Sequence, residues 1–357
     1  MSDDLQRRRI GIREIAEEAG LSKTAVSYAL NGTGRLDPAT RARVVEIAKR
    51  LGYRANPNAR NLRRRSFGVI AMSTSLPSEM SQALMSMDYF MRVWQGAMSA
   101  ALERGYMLLF TPFGAEPRML GNMPIDGGIV VDPVSGDRMV AHLEGSGLPV
   151  VLLGRDSERP DEDCWIVDSP HGELAGEIFA HFQAQGAKRI GFIQASPRYA
   201  FSLAARETYL AWCAGHGQEP QIVEIEGPTT EGSGYEAARQ LLESPNPPDA
   251  IYASLDRLAA GALLAADHLG ISVPRDLLIA AGSDGITRAQ RVPISALDLK
   301  PDLLGRTSVA MLIDRIELGI GPRITIIPGE LVIRASTTRN KGRASGRPAS
   351  TRKKDPA

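Results

Sequence analysis

The feature that most constrains the fold is an alternation of short apolar runs with amphipathic stretches between residues 66 and 338. The runs that we predict as strands are Phe67–Met72, Met107–Phe110, Gly128–Val131, Val150–Leu153, Ile190–Ile193, Ile222–Ile225, Ala250–Ala253 and Leu277–Ala281. The stretches between them predict helices, including Glu173–Gln185, Leu203–Ala214, Glu236–Glu243 and Arg257–Leu269. Such alternation is typical of parallel sheets covered by helices.

This region is long for a single sheet, so we expect two α/β lobes. A cleft between two lobes is a common place for a small-molecule site. Gly186, Gly215 and Gly270 follow predicted helices, where a glycine is expected to end the helix.

Residues 1–62 have a different, basic and helical pattern. An apolar stripe at i, i+3, i+4 and i+7 predicts a first helix that Gly20 ends, and Ser22 can cap a second helix running to Leu30. Two short helices around a tight turn form a helix-turn-helix unit. A third helix is predicted between Asp37, with Pro38 at its first position, and Gly52. The first stripe is Ile12, Ile15, Ala16 and Ala19, and the third helix is expected to pack through Val44, Val45, Ile47, Ala48 and Leu51.

The second helix of such a unit enters the major groove of DNA with its first residues. Lys23 could donate to a guanine and Thr24 could contact a base edge or a thymine methyl, although Lys23 could equally contact a phosphate. Leu62 stands among Arg60 and Arg63–Arg65, a pattern that fits an apolar wedge in the minor groove. Packing of Leu62 against the following domain is the alternative.

Basic residues concentrate at the two ends of the chain. Residues 1–65 hold 15 lysines and arginines against 7 acidic residues, and residues 339–357 hold 7 against 1. The middle holds 20 basic and 33 acidic residues, although the formal net charge of the chain is only +1. A basic head on an acidic body indicates that the head meets a polyanion, while a merely solvated charged surface remains an alternative. Residues 339–357 lack large apolar side chains and predict a disordered basic tail.

Other classes of protein find little support in the sequence. Cys164 and Cys213 have no metal-binding spacing and are expected to be buried thiols in a reducing cytoplasm. No signal peptide or membrane-spanning run is present, so we expect a soluble cytoplasmic protein without membrane contact. We find no Walker A, HExxH or GxSxG motif, and Gly32-x-Gly34 follows a helix rather than a strand. The sequence therefore predicts no enzyme, no cofactor and no metal site.

The head resembles that of the lactose/galactose-repressor family of transcriptional regulators. The resemblance is carried by Ile12-Arg13-Glu14-Ile15-Ala16, Ala19-Gly20-Leu21-Ser22, Val26-Ser27, Leu30-Asn31-Gly32, Thr40-Arg41, Val44, Ala48, Leu51-Gly52-Tyr53, Asn56, Ala59-Arg60 and Leu62. It continues in Asp126-Gly127-Gly128-Ile129 and in Gly329-Glu330-Leu331-Val332-Ile333-Arg334-Ala335-Ser336.

The resemblance implies an all-α helix-turn-helix headpiece followed by an α/β two-lobed core like that of periplasmic binding proteins. We assign residues 1–55 to the headpiece, 56–65 to a hinge helix and linker, 66–338 to the effector-binding and dimerisation core, and 339–357 to the tail. The family also implies a homodimer, or a tetramer made of two dimers, on pseudo-palindromic double-stranded operator DNA. Repression is the more frequent outcome in the family.

The resemblance also implies which residues contact DNA. Lys23, Thr24 and Tyr28 are the base-reading positions and Leu62 is the wedge, while Tyr28 replaces an arginine that is often found there. The full predicted set is Ser22, Lys23, Thr24, Ser27, Tyr28, Asn31, Arg35, Tyr53, Asn56, Arg60 and Leu62.

For a small-molecule effector, a sugar or another metabolite, the resemblance implies contacts from Tyr89, Phe90, Ser202, Arg206 and Asp284. Each has a structural alternative: Arg206 could pair with an acid, Asp284 could cap a turn, and the two aromatic residues could be core. Leu255 stands where the family typically has a sugar-binding Asn, Leu299 near a frequent Gln, and Thr229 where some relatives have an aromatic platform. These departures weaken a sugar assignment, because an unpaired buried hydroxyl costs about 1–3 kcal/mol. Residues 111–122 are also short for the helix that the family has there.

Overall fold

The computed structural model describes residues 10–31, 34–53, 66–75, 88–112, 114–196 and 199–339. They fall into two compact units that meet in the chain at Phe67 and Gly68. We describe each unit by itself. The predicted hinge residues Asn56, Arg60 and Leu62 lie outside the described residues.

The described residues of the first unit form three helices, α1 (Ile12–Ala19), α2 (Lys23–Asn31) and α3 (Pro38–Arg50). The predicted helix ends and helix caps are confirmed. Gly20 has a φ of 65° after α1, and the Ser22 hydroxyl accepts the N–H of Ala25 at 3.1 Å. The Asp37 carboxylate accepts the N–H of Thr40 at 2.8 Å, with Pro38 at the first helical position. These caps satisfy backbone groups that each helix start would otherwise leave unpaired.

A small core joins the three helices. Ile15, Val26 and Val44 are fully buried in it. The predicted packing face of α3 is confirmed for Val44, Ile47 and Ala48 but is wrong for Val45, which is 48% exposed. Val45 follows Val44 by about 100° around the helix and so turns away from the other two helices.

The second unit, as far as the structure describes it, contains two six-stranded sheets, one in each lobe. The strands of lobe 1, in spatial order, are β11-β5-β4-β3-β1-β2, and each strand runs parallel to its neighbours in this sheet. The order in lobe 2 is β12-β10-β9-β8-β6-β7, with only the β10–β12 pair antiparallel. The strands are β1 (Val69–Thr74), β2 (Met107–Phe110), β3 (Gly128–Val131), β4 (Val150–Leu153), β5 (Ile166–Asp168), β6 (Ile190–Gln194), β7 (Gln221–Glu224), β8 (Ala250–Ala253), β9 (Leu278–Ala281), β10 (Ser295–Asp298), β11 (Ile324–Ile326) and β12 (Glu330–Val332).

Helices cover the faces of both sheets, as the alternating pattern predicts. Lobe 1 carries α4 packed against α10, together with α5, and lobe 2 carries α6 against α7 and α8 against α9. The helices are α4 (Asp88–Arg104), α5 (Arg138–Gly145), α6 (His171–Ala184), α7 (Ala200–His216), α8 (Glu231–Leu242), α9 (Asp256–His268) and α10 (Pro301–Leu318).

The chain passes between the lobes at three places within the described core. These are the steps from β5 to α6, from β10 to α10 and from β11 to β12. Lobe 1 therefore receives its helix α10 and its edge strand β11 from the C-terminal part of the chain. Two lobes joined by three short connections can change their relative placement while each sheet remains intact.

Within its described residues, the segment 111–122 holds a short 3₁₀ helix, Pro117–Met119, in agreement with the prediction that it is short for a full helix. Two local predictions need correction. Gly215 lies inside α7, and Gly217 takes the left-handed conformation that ends this helix, with a φ of 62°. Arg339 is held by the core rather than starting a tail, because its guanidinium donates to the carbonyls of Pro274 and Gln185 at 3.1 Å.

Within the described residues, no helix is long and apolar enough to cross a membrane.

Candidate nucleic-acid interface and ligand cleft

Helix α2 has one buried and one exposed face. Val26 is fully buried and Ser27 is 7% exposed, whereas Lys23 and Thr24 are exposed and Tyr28 is 44% exposed. The three base-reading positions implied by the resemblance therefore lie on the accessible side of the helix. Burial argues against a direct base contact by Ser27, because its hydroxyl would have to leave the headpiece core to reach a groove.

The ring of Tyr28 lies against the backbone of Gly34. A Cβ added to Gly34 would stand 2.6 Å from the Cδ2 atom of Tyr28, and Gly34 has a φ of 72°. Only glycine allows both the close approach and this backbone conformation without strain. The backbone of Gly34 thus restricts the positions that the Tyr28 ring can take beside the exposed face of α2.

The other predicted DNA contacts occupy varied environments. Arg35 is exposed, and Tyr53 is half-buried against the headpiece core. Ser22 is exposed at the start of α2, where its hydroxyl forms the helix cap. Asn31 is the last residue of α2, and its side chain is outside the described part of the structure.

In the core, Ser202 and Arg206 lie on α7 and share Gln194 as a partner. The Ser202 hydroxyl is fully buried, donates to the carbonyl of Ala195 at 2.7 Å and accepts from the Gln194 amide at 3.2 Å. Arg206 donates to the Gln194 amide oxygen at 3.1 Å and to Glu224 at 3.4 Å. Ser202 therefore holds the end of β6 in place, and Arg206 has the acidic partner that the structural alternative anticipated.

Asp284 is engaged in an internal network. Both of its oxygens accept from the Arg334 guanidinium, at 3.0 and 2.6 Å, and Thr287 donates a further hydrogen bond to it. The side chain of Asp284 is only 4% exposed. Burial would raise the pKa of this carboxyl, but the hydrogen bonds from Arg334 and Thr287 more than offset it and lower the pKa. Its acceptors are used within lobe 2, which argues against the effector contact expected from the resemblance.

The two aromatic residues predicted to contact the effector lie in different environments. Phe90 is 4% exposed and belongs to the core, where its ring meets the edge of Tyr89 at 5.3 Å between centroids. Tyr89 is half-buried, and its burial, with the nearby charges of Asp132 and Asp168, raises the pKa of its phenol well above the ordinary value. The structure thus brings Tyr89, but not Phe90, toward polar groups.

The three positions that depart from the family pattern pack internally. Leu299 is 5% exposed at the β10–α10 connection, and Thr229 is 6% exposed. Leu255 is half-buried against the apolar clusters of the core. The side chains at these three positions are therefore engaged in packing within the core.

A narrow pocket lies between the lobes, and sequence reasoning missed its lining. A cavity of about 10 Å³ separates the carboxyl ends of β3, β4 and β5 in lobe 1 from the start of α7 in lobe 2. Typical small-molecule pockets measure roughly 300–1,000 Å³, so any ligand larger than a water molecule requires the lobes to open. The lining residues are Asp132, Pro133, Gly154, Arg155, Asp168, His171, Tyr199, Ala200 and Phe201.

One wall of this pocket is an ion-pair cluster. The Nε of Arg155 lies 2.8 Å from Asp168, and a second nitrogen of the same guanidinium pairs with Asp161. Nε2 of His171 lies 3.8 Å from the other oxygen of Asp168. Burial lowers the pKa of His171, an effect that the charge of Asp168 only partly opposes, so the imidazole is neutral near pH 7.

Asp132 stands apart from this cluster. Its backbone is in the left-handed region, with a φ of 49°, and its carboxylate lies over the backbone of Gly154. Among the described residues, no hydrogen bond or ion pair reaches this carboxylate from a donor. Burial, followed by the charge of Asp168, raises the pKa of Asp132 to about 7. A half-buried carboxylate that no described donor reaches is unusual outside ligand sites.

The opposite wall is aromatic. The rings of Tyr199 and Phe201 are stacked, with 5.7 Å between centroids and 10° between planes, and the His171 ring lies 5.7 Å from Phe201. Flat apolar surfaces of this kind suit a flat or apolar part of a ligand.

A rule applicable to the sequence could have found part of this pocket. Ligands of open α/β sheets bind beyond the carboxyl ends of the strands. Asp132 directly follows the predicted strand Gly128–Val131, and Arg155 follows Val150–Leu153. Asp168 and His171 gave no such signal, because β5 was not predicted.

Comparison with known families identifies two parts of the chain. Residues 11–56 match the family described as bacterial regulatory proteins, lacI family, and residues 179–337 match a periplasmic binding protein-like domain. The curated relatives include the HTH-type transcriptional regulator CelR of Thermobifida fusca, 28% identical and aligned over 87% of this chain and 93% of the relative. They also include the HTH-type transcriptional repressor PurR of Yersinia pestis bv. Antiqua (strain Antiqua), 28% identical over 85% of this chain and 90% of the relative.

Solved structures share the fold across nearly the whole chain. The complex of the transcriptional regulator CelR with cellobiose has a TM-score of 0.69 at 24% identity and covers 92% of this chain and 100% of its own. The lac repressor dimer bound to operator and the anti-inducer ONPF has a TM-score of 0.71 at 19% identity and covers 93% and 100%.

The helix-turn-helix unit, the two-lobed core and these matches agree along the chain. The chain therefore combines a helix-turn-helix region similar to the lacI family of bacterial regulatory proteins with a core that contains a periplasmic-binding-protein-like domain.

Proposed function

We propose that the protein is a transcriptional repressor that binds a pseudo-palindromic operator as a homodimer and responds to a small molecule in the cleft of its core. The observation that carries the proposal is the exposed face of α2, where Lys23, Thr24 and Tyr28 lie together opposite a fully buried Val26. A capped helix with this division can enter a major groove while the headpiece core remains intact. The repressors among the relatives support the sign of regulation.

An apolar stripe on α4 supports the homodimer. Met91, Met98 and Leu102 are 46%, 43% and 72% exposed along this helix, while its other face packs against α10. Met107, on the edge strand β2, is 63% exposed. Exposed apolar side chains at helical spacing beside an open strand edge favour association with a second copy, and a two-fold dimer presents its two headpieces to two half-sites.

The proposed control is a shift between two arrangements of the lobes. Residues 56–63 are too short to be helical alone in water, so we expect the hinge to form a helix only when two copies lie side by side on DNA. A ligand that favours one arrangement of the lobes changes the spacing of the hinges and therefore the affinity for DNA. The affinity of the protein for the ligand must change reciprocally when DNA binds.

The proposal is tested by selecting bound fragments from random double-stranded DNA with the full-length protein. We expect a palindromic consensus, and its absence would overturn the proposal. Lys23→Ala should weaken binding to the selected sequence at least tenfold. Lys49→Ala, which removes an exposed lysine from α3, is the matched control and should cost much less.

The hinge has its own experiment. Leu62→Ala should weaken binding to the selected operator far more than binding to random DNA, because an inserted wedge acts only where the DNA can be kinked. Equal losses on both DNAs would remove the wedge from the mechanism while leaving the recognition by α2 in place.

A further inference from the structure

Within the described part of the core, the pocket beside Asp132 carries more negative charge than its cations offset. Arg155 is a single positive charge that contacts two carboxylates, those of Asp168 and Asp161. Among the described residues, the other titratable groups beside Asp132 are His171 from α6 and Tyr89 from α4, and both are neutral near pH 7 because burial lowers the pKa of the first and raises that of the second. A wall with this surplus attracts a cation and repels an anion.

The position of the Asp132 carboxylate indicates where in the pocket a cation would bind. Asp132 lines the pocket, accepts no hydrogen bond from the described residues, and is held over Gly154, where a Cβ would stand 3.3 Å from its Oδ1. A side chain in Gly154's place would therefore crowd this oxygen. A ligand that donates hydrogen bonds and carries a positive charge would satisfy the oxygen in the manner of a buried ion pair.

The aromatic wall indicates the rest of the ligand. Tyr199 and Phe201 offer stacked rings to the same space. Among the described lining residues, the pocket thus combines a carboxylate that no donor reaches with apolar ring surfaces, and the guanidinium of Arg155 is already paired with Asp168 and Asp161.

We propose that the effector is a small protonated amine with a flat or apolar body, bound by the carboxylate of Asp132 with its body against Tyr199 and Phe201. This inference rests on the proposed function only in taking the cleft as the effector site. It makes the protein a sensor of an organic cation rather than of a sugar.

The test uses thermal shift and calorimetry on the full-length protein with three sets of probes. The amine set contains phenethylamine, tyramine, histamine, agmatine and putrescine. The neutral set contains cellobiose, glucose, inositol and 2-phenylethanol, and the anionic set contains 3-phenylpropionate and citrate. We expect stabilising compounds in the amine set, with an uncharged isostere such as 2-phenylethanol at least tenfold weaker than its amine. Hits confined to the neutral or anionic sets, or no hit among the amines, would overturn the inference.

Two variants assign the site. Asp132→Asn should weaken the amine at least tenfold, whereas Asp163→Asn, which removes an exposed carboxylate from the same lobe, should leave its affinity unchanged. Equal amine affinity in both variants would place the cation elsewhere and overturn the inference.

The pH dependence gives an independent readout. An amine that prefers the ionised carboxylate should bind more tightly at pH 8 than at pH 6, and this difference should disappear in Asp132→Asn. An amine whose affinity does not rise over this range would contradict the inference.

The outcome is separable from that of the proposed function. If an amine binds through Asp132 but the selection yields no palindromic consensus, the inference stands and the proposed operator binding is wrong. If the selection yields a palindromic consensus and a neutral sugar dissociates the protein from that DNA, the proposed function stands and the inference is wrong.

Discussion

The guanidinium of Arg334 lies flat against both carboxylate oxygens of Asp284, with nitrogen–oxygen distances of 3.0 and 2.6 Å. The pair joins the segment after β12 to the loop after β9, and its two side chains are 11% and 4% exposed. A two-pronged contact of this kind fixes orientation as well as charge.

Arg334→Ala should therefore lower the free energy of unfolding by about 3–5 kcal/mol, because it leaves a buried carboxylate without its cation. Arg288 provides the matched control, since its guanidinium lies 3.6 Å from the same carboxylate but is 72% exposed. Arg288→Ala should change stability by less than about 0.5 kcal/mol. Urea denaturation measures the free energy of unfolding of both variants. If both lose the same amount, Arg334 contributes no more to stability than an exposed ion-pair partner does.

Gly34→Ala should alter DNA recognition through Tyr28. The added methyl would stand 2.6 Å from the tyrosine ring and force it to move. Gly20→Ala is a close control, since Gly20 has a similar φ of 65° but open space around its Cα. Both variants should lose about 1–2 kcal/mol of headpiece stability from backbone strain. Only Gly34→Ala should change the base preference in a repeated selection, and an unchanged consensus would show that the position of Tyr28 does not matter.

Asp132→Asn should stabilise the protein in a pH-dependent manner. The pKa of Asp132 rises to about 7 on folding. Between about pH 4 and pH 7 the unfolded chain has released this proton while the folded chain retains it, so the folded state loses stability as the pH rises. At about 1.4 kcal/mol for each pKa unit, the cost reaches roughly 2–4 kcal/mol above pH 7.

The gain from Asp132→Asn should accordingly grow from pH 4 to pH 7 and then remain constant. Denaturation curves at several pH values measure it, and Asp163→Asn should show no comparable trend. A gain that is flat across this range would mean that Asp132 ionises normally in the folded protein.

Leu102→Glu should weaken the dimer, because it places a charge in the apolar stripe of α4. We expect sedimentation equilibrium to show at least a tenfold rise in the dissociation constant. Leu210→Glu alters a leucine of α7 that is 38% exposed and should leave association unchanged. A dimer that survives Leu102→Glu would move the interface away from this helix.

Strong apolar runs were predictable from the sequence, and weak ones were not. Met107–Phe110, Gly128–Val131, Val150–Leu153 and Ala250–Ala253 form strands with the predicted bounds. The strands β5, β10 and β11 were missed. Strand β11 contains two isoleucines but is only three residues long, at the short limit for a strand, and Ile324 and Ile326 are 37% and 43% exposed at the edge of the sheet.

Strand β10 was missed for a different reason. It contains Ser295, which is fully buried. This burial is tolerated because the backbone N–H of Ser295 donates to Ser336 and its hydroxyl forms a hydrogen bond with Thr337. A polar residue in a strand core depends on partners some forty residues away, which local periodicity does not reveal. The roles of Ser202 and Asp284 escaped prediction in the same way, since the carbonyl of Ala195 and the guanidinium of Arg334 become their neighbours only in the folded lobe.

The three crossings of the chain between the lobes constrain how this protein can be divided or recombined. A cut at any single bond between β5 and α6 separates lobe 1 from α10 and β11, which close one end of its sheet and one of its faces. Neither lobe is a contiguous gene segment. A chimera that exchanges ligand specificity with a relative must therefore exchange two separate stretches of sequence at once. A point substitution at a position that lines the pocket, such as 132, changes the cleft without such an exchange.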